Sequence, residues 1–311
     1  MLIPAQHLIH IRNYRRKPQR DTAIVTVTLN QQPPFTMNTI LLPTDFSTNA
    51  NCALTYATAL AKEHNAKLIL LYAYDIPLMA PTGIFSTRAH AMEDTETTLR
   101  EKVRARMAAL VKEHGLEKHP HVCLMRQGSV VTTIAEEANA QHCDLIVMGT
   151  LGESSTANVL LGSVTNGVIR ATKTPVLAIP YKTRYRSISR IVYATSLSCP
   201  ELETFENITA LAKRSNASVD FLYVDNNSGG EEQYQHALAR FIVENDYKKL
   251  ALTSVQTSDA ATGINDFAEE RAASIVALTS HSDSFFKHLF HRSVAKALSL
   301  HSHVPVLVYS A

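Results

Sequence analysis

The chain has 311 residues, 45% hydrophobic and 19% charged, which makes it globular and long enough for about two domains. A net charge of +2 is too mild for a dedicated binder of nucleic acid or of anionic membrane, and no run reaches the roughly 18 apolar residues of a membrane span. The cysteines, Cys52, Cys123, Cys143 and Cys199, are scattered and form no CxxC, which points to a reducing, cytoplasmic setting without disulfides or structural zinc.

Residues 1–36 differ from the rest. Arg12, Arg15, Arg16, Lys17 and Arg20 follow a broken apolar stretch, the reverse of a secretory signal. The segment then passes through AIVTVTL and QQPPF. Contact with RNA or lipid is one reading of this basic patch; a disordered N-terminal extension is the favoured one. Met37 is itself a natural start, which leaves open whether residues 1–36 are translated.

From Met37 onward, strands and helices alternate. Ile40–Leu42 is a buried strand that runs into the turn PTDFS. Ala50, Ala53, Leu54, Ala57, Leu60 and Ala61 recur at helical spacing, with Ser47 or Thr48 as the cap. LILLYAY (68–74) is the second strand, and IPLMAPTGIFST (76–87) reads as a loop. Leu99, Val103, Met107, Leu110 and Val111 line a long helix that ends near Gly115. The strand VCLM, a helix around Ile134–Ala138, the strand LIVM, a helix from Ser163 and the strand VLAI complete five units. Short, fully apolar strands separated by helices predict a parallel sheet covered on both faces.

The pattern then repeats. ALAKEHNAKLILLYAYD (59–75) returns as ALAKRSNASVDFLYVDN (210–226), TILLPTDFS (39–47) as RIVYATSLS (190–198), and TPVLAIP (174–180) as VPVLVYS (304–310). The offset falls from 151 to 130, so the second copy lacks 21 residues between its second and third strands. Two tandem domains are expected, 37–181 and 186–311.

Only 10 glycines occur in the chain, yet Gly149, Gly152 and Gly162 cluster just after the strand LIVM and before a helix. Glycine at such a boundary suggests backbone geometry that other residues cannot supply, or a ligand approaching the main chain. The spacing of Gly149, Gly152, Gly162 and Ser163, with the upstream PTD, resembles the ATP-binding branch of the universal stress proteins. The resemblance covers both halves after Met37. It implies two tandem Rossmann-like domains of the adenine nucleotide alpha hydrolase type, each with a five-stranded parallel sheet.

Carried over residue by residue, the resemblance implies that Pro43, Asp45 and Ala73 meet the adenosine moiety, with Met148 flanking it. Gly149, Gly152, Gly162, Ser163 and Val164 would hold the phosphates. A strand end that delivers a chain turn to a helix amino terminus suits an anion physically, through unpaired N–H groups and the helix dipole. One departure is plain: Glu153 follows Gly152, and no Lys or Arg occurs from 150 to 169, where many family members carry a basic residue. Backbone donors, with a divalent ion such as Mg2+, would then neutralise the phosphates.

In the second copy, Thr279, Ser282, Arg292 and Ser293 fall where Gly149, Gly152, Gly162 and Ser163 stand, and Ser196 falls on Asp45. Side chains there would fill the phosphate space, so no ATP is expected in this copy. His281, His288, His291, His301 and His303 lack a carboxylate or cysteine at ligand spacing and read as solvated or packing residues. Phe285, Phe286 and Phe290 read as core filling, with a small apolar ligand as the other reading.

Three function classes follow. The leading one is a stress-response regulator that responds to a bound adenine nucleotide, acting on an unidentified protein partner. The others are a slow ATP hydrolase or phosphotransfer enzyme, for which Asp45 has no evident base beside it, and an interaction scaffold. A related-fold synthetase would show an SGGxDS-type loop, which PTDFSTN lacks. In single-domain members of the family the last strand pairs across a dimer; here Val176–Ile179 and Val306–Tyr309 are expected to pair antiparallel within one chain.

Overall fold

The computed structural model describes residues 37–75, 85–150, 162–195, 202–225, 236, 240–242, 244–257, 260–280 and 304–310. In chain order these hold β1 (Thr39–Pro43), α1 (Thr48–His64), β2 (Lys67–Tyr74), α2 (Phe85–Glu113), β3 (His121–Gln127), α3 (Val130–Ala140), β4 (Leu145–Gly149), α4 (Ser163–Ala171) and β5 (Val176–Ile179). The second half holds β6 (Arg190–Thr195), α5 (Leu202–Ser215), β7 (Ser218–Asp225), β8 (Leu250–Gln256), α6 (Ala260–Glu270), β9 (Ile275–Ser280) and β10 (Val306–Ser310). The segment read as a loop over 76–87 is helical from Phe85, where α2 begins.

The strands described form a single sheet in the order β3-β2-β1-β4-β5-β10-β9-β6-β7-β8. Each half repeats the order third, second, first, fourth, fifth, and every neighbouring pair within a half is parallel. The halves join through β5 and β10, which run antiparallel with Leu177 opposite Leu307 and Val176 opposite Val308. Each half's fifth strand therefore covers the other's open edge.

Strand alternation sorts the core into two layers. Ile40, Leu42, Leu68, Leu70, Leu145, Val147, Leu177 and Ile179 face one side, under α1 and α2. Leu41, Ile69, Leu71, Ile146, Met148 and Val176 face the other, under α3 and α4. The second half continues both layers: Tyr193, Phe221 and Leu307 lie with α5, and Val192, Leu222, Leu278 and Val308 with α6. Tyr193, Phe205, Phe221 and Phe241 make an aromatic cluster, with centroid separations from 5.3 to 5.9 Å.

Helix α1 shows how the sequence fixes one element. Ser47 caps it by accepting the Ala50 N–H at 3.2 Å. Small residues at Ala50, Ala53, Ala57 and Ala61 bring its axis close to the sheet. Asn65 ends it in the left-handed region, φ 54°, donating its N–H to the Ala61 carbonyl. Among the described residues no helix is long and apolar enough to cross a membrane.

Candidate functional site

In the first half, β1 sits between β2 and β4, so chain connections leave it in opposite directions. The crevice beyond the carboxyl ends of β1 and β4 is where open sheets of this type take ligands. Pro43, the last residue of β1, pairs with Leu71, and Ala73 lies two residues further along β2. Pro43 continues the parity of Leu41, and Ala73 that of Ile69 and Leu71. Both therefore project on the α3 and α4 side, the side to which buried Met148 belongs. Three of the residues expected at the adenosine moiety thus share one face at one edge.

The turn after β1 is organised by its own side chains. The Thr44 N–H donates to the Leu71 carbonyl at 2.8 Å, extending the ladder past the strand end. Thr44 Oγ1 accepts the Phe46 N–H at 3.0 Å, and Asp45 Oδ1 accepts the Ser47 N–H at 2.9 Å. Asp45 itself is exposed. These two bonds hold Phe46 at φ 63°, and its ring stacks on Tyr72 with centroids 5.1 Å apart. The Arg106 guanidinium lies 4.7 Å from the centre of the same ring. Sequence reading did not foresee this stack, although a threonine two residues before Phe46 is a turn signal that pointed to the local bend.

The glycines require a correction. Gly162 caps α4 at φ −53° and ψ 147°, a conformation open to any residue, and Gly149 is strand backbone. Neither uses a left-handed backbone; the described glycines that do are Gly115 and Gly128. Gly149 is instead required by packing, because an added Cβ would lie 2.9 Å from the Asn49 carbonyl oxygen and 3.1 Å from its carbon. That Cβ would point to the α1 side, opposite Met148, as alternation demands. Gly152 and Glu153 lie outside the described residues.

The described residues on either side, Thr150 and Gly162, are bonded to each other. The Gly162 N–H donates to the Thr150 carbonyl, and the Thr150 N–H to the Ile179 carbonyl at 3.1 Å. Thr165 Oγ1 donates to the Gly149 carbonyl at 2.9 Å, tying the first turn of α4 to the end of β4. The Gly162 N–H is thereby used within the protein. Gly162 offers no side chain to cap α4, so the first-turn donors of exposed Ser163 and Val164 lack helical partners. They point a partial positive charge toward the edge that Gly149 ends. Among the described residues no cluster of three metal-ligating side chains occurs.

At the matching place in the second half, Thr279 is fully buried and its hydroxyl pairs with Tyr193 Oη at 2.5 Å. Where Gly149 admits Asn49, this strand carries a side chain bonded into the core. Ser196, Ser282, Arg292 and Ser293 lie outside the described residues, as do His281, His288, His291, His301, His303, Phe285, Phe286 and Phe290.

The profile of the universal stress protein family matches residues 37–180 and again residues 187–310. A universal stress protein of Methanocaldococcus jannaschii is 30% identical over 143 residues, covering 45% of this chain and 80% of that protein. A universal stress protein of Thermus aquaticus is 33% identical over 143 residues, covering 45% of this chain and 97% of that protein. The crystal structure of a universal stress protein from Archaeoglobus fulgidus superposes with a TM-score of 0.66 at 20% identity, over 89% of this chain and 99% of that one. A protein of unknown function from Pseudomonas aeruginosa follows at 0.52 and 17%, over 88% and 92%. At these identities the two structures speak to the fold.

Proposed function

We propose, for a chain that belongs to the universal stress protein family along both halves, that it binds ATP or a related adenine nucleotide in its first half and acts as a nucleotide-dependent stress-response regulator. The observation that carries this reading is the common face of Pro43, Ala73 and Met148, set at the strand edge where α4 presents its first turn. Pro43, Ala73 and Met148 would enclose the adenosine moiety, with Asp45 at its rim. Ser163 and Val164 would donate to phosphate oxygens, with Gly149, Gly152 and Gly162 shaping the path of the chain around them. With no Lys or Arg from 150 to 169, backbone dipoles and a divalent ion such as Mg2+ would balance the phosphate charge.

The reading is one of binding rather than turnover. Asp45 Oδ1 already accepts the Ser47 N–H, and among the described residues no histidine or second carboxylate is bonded to Asp45. Partner choice or conformation, rather than hydrolysis, would then carry the signal. Calorimetric titration of the full chain with ATP tests this: one site per chain is expected, and either two equivalent sites or no binding overturns it.

A further inference from the structure

The linker between the halves, residues 181–189, divides its contacts between α1 and a cavity. Tyr185 and Ser187 turn toward α1, where both donate hydroxyls to Glu63 Oε2, at 2.6 and 2.8 Å. The Tyr185 ring also meets the Tyr56 ring edge-on, with centroids 4.9 Å apart. Lys182, Thr183, Arg184 and Arg186 instead line a cavity of about 260 Å³, together with Ser274 and Pro305 at the starts of β9 and β10.

Three exposed cations therefore line one space, with the Lys182 ammonium 5.3 Å from the centre of the Tyr181 ring. Among the described residues none of the three forms an ion pair, and Glu63 is occupied by hydroxyl donors. Water screens exposed charges from one another, but an ion of several negative charges seated among them would be attracted by all three at once. Two further features accompany them. Tyr56, 1% exposed, lines the same cavity, and its hydroxyl has no hydrogen-bond partner. A buried hydroxyl left without a partner is costly, and a ligand oxygen would satisfy it. Lys182 holds a left-handed backbone at φ 62°, an uncommon conformation for a residue with a side chain.

We infer that the cavity at the linker is a binding site for a small polyanion, held by Lys182, Arg184 and Arg186 and by the Tyr56 hydroxyl. Phosphate chains and tricarboxylates share the required chemistry of several negative charges within a few ångströms. None of the residues assigned to the adenine nucleotide lines this cavity. A ligand here would touch α1, the linker and the second half at once, and would stiffen the joint between the two.

The test is calorimetric titration of the full chain with tripolyphosphate and, separately, with citrate, neither of which carries adenine. At least one should bind saturably at one site, more weakly as salt is raised. The double variant Arg184→Gln/Arg186→Gln, altered at exposed positions, should fold normally by circular dichroism and lose about 30-fold or more in affinity. Tyr56→Phe should lose about fivefold. Lys118→Gln, an exposed cation that does not line the cavity, should leave the affinity unchanged. Which of the two anions binds identifies the source of the charge. Absence of saturable binding for both, or undiminished binding by the double variant, overturns the assignment. ATP affinity, measured alongside, reports on the nucleotide reading independently.

Discussion

A Cβ on Gly149 would lie 2.9 Å from the carbonyl oxygen of Asn49, because the first turn of α1 crosses the end of β4 there. The neighbouring atom is backbone, so it cannot swing away as a side-chain tip would. Gly149→Ala must push α1 off the sheet, at a cost of about 1–3 kcal/mol. Since Asp45 and Ser47 sit at the start of α1, the same shift should also weaken ATP binding. Urea denaturation and titration measure the two effects, and an unchanged denaturation midpoint would show that the contact is not restrictive.

Gly162 makes the opposite case. Its φ of −53° is open to residues with a side chain, so Gly162→Val should still fold, although valine is a poorer cap than glycine and should cost about 1 kcal/mol. Gly162→Ser should add a conventional cap worth a few tenths of a kcal/mol. If α4 holds phosphate, the valine would still intrude on the anion, and ATP affinity should fall about tenfold or more while circular dichroism stays native. Gly152→Val is expected to behave likewise. Wild-type affinity in either folded valine variant would count against the phosphate role of this turn.

What the sequence disclosed, and what it hid, follows from the range of the forces involved. The runs ILLP, LILLYAY, LIVM and VLAI carry no charged residue and few polar groups, as a strand covered on both faces requires, and each became such a strand. Ser47 was readable as a cap because its bond to Ala50 is local. The reason for Gly149 was not readable, since Asn49 is 100 positions away and meets it only through the sheet order. The same holds for Phe46 on Tyr72 and for the linker hydroxyls on Glu63, which depend on tertiary placement rather than on spacing. The internal repeat did suggest that Thr279 fills the place of Gly149. That its hydroxyl bonds Tyr193 depends on β6 lying beside β9 in the sheet.

The pairing of β5 with β10 gives a prediction about assembly. Leu177 and Leu307 face each other across it, 1% and 2% exposed, in the layer under α1 and α5. A lysine at either position would bury an unpaired charge and lose the leucine contacts, at more than about 3 kcal/mol. Leu177→Lys should therefore separate or unfold the halves, whereas Leu177→Met should cost under about 1.5 kcal/mol. With both fifth strands satisfied inside the chain, a wild-type oligomer, if formed, should use another surface. Light scattering that showed a wild-type dimer converted by Leu177→Lys into folded monomers would refute the role given to this pairing.

The end of α1 makes the joint sensitive to acid, and the sign can be worked out from two neighbouring groups. Burial pushes the His64 imidazole below its ordinary 6.5; Glu63 opposes this and Arg214 adds to it. Arg214 also donates to the His64 carbonyl at 2.8 Å, so the histidine lies against the second half. A group whose folded pKa is depressed favours folding while deprotonated, so this contribution is present above about pH 6.5 and declines as pH falls through the lower folded value. For Glu63, burial pulls the carboxyl up, but the hydrogen bonds from Tyr185 and Ser187, with the charge of His64, outweigh it and hold the group below its ordinary 4.5. Its contribution is complete above that value and is lost at lower pH, in the same sense as that of His64. Because the Glu63 side chain is largely in water, the second step should be the smaller. Melting temperature measured from pH 8 to pH 3 should fall in two stages. His64→Phe should remove the stage below about pH 6.5, and Glu63→Gln the stage below 4.5, with the difference from wild type cancelling other titrating groups. A Glu63→Gln profile parallel to wild type throughout would show that the linker hydroxyls contribute no pH-dependent stability to the joint.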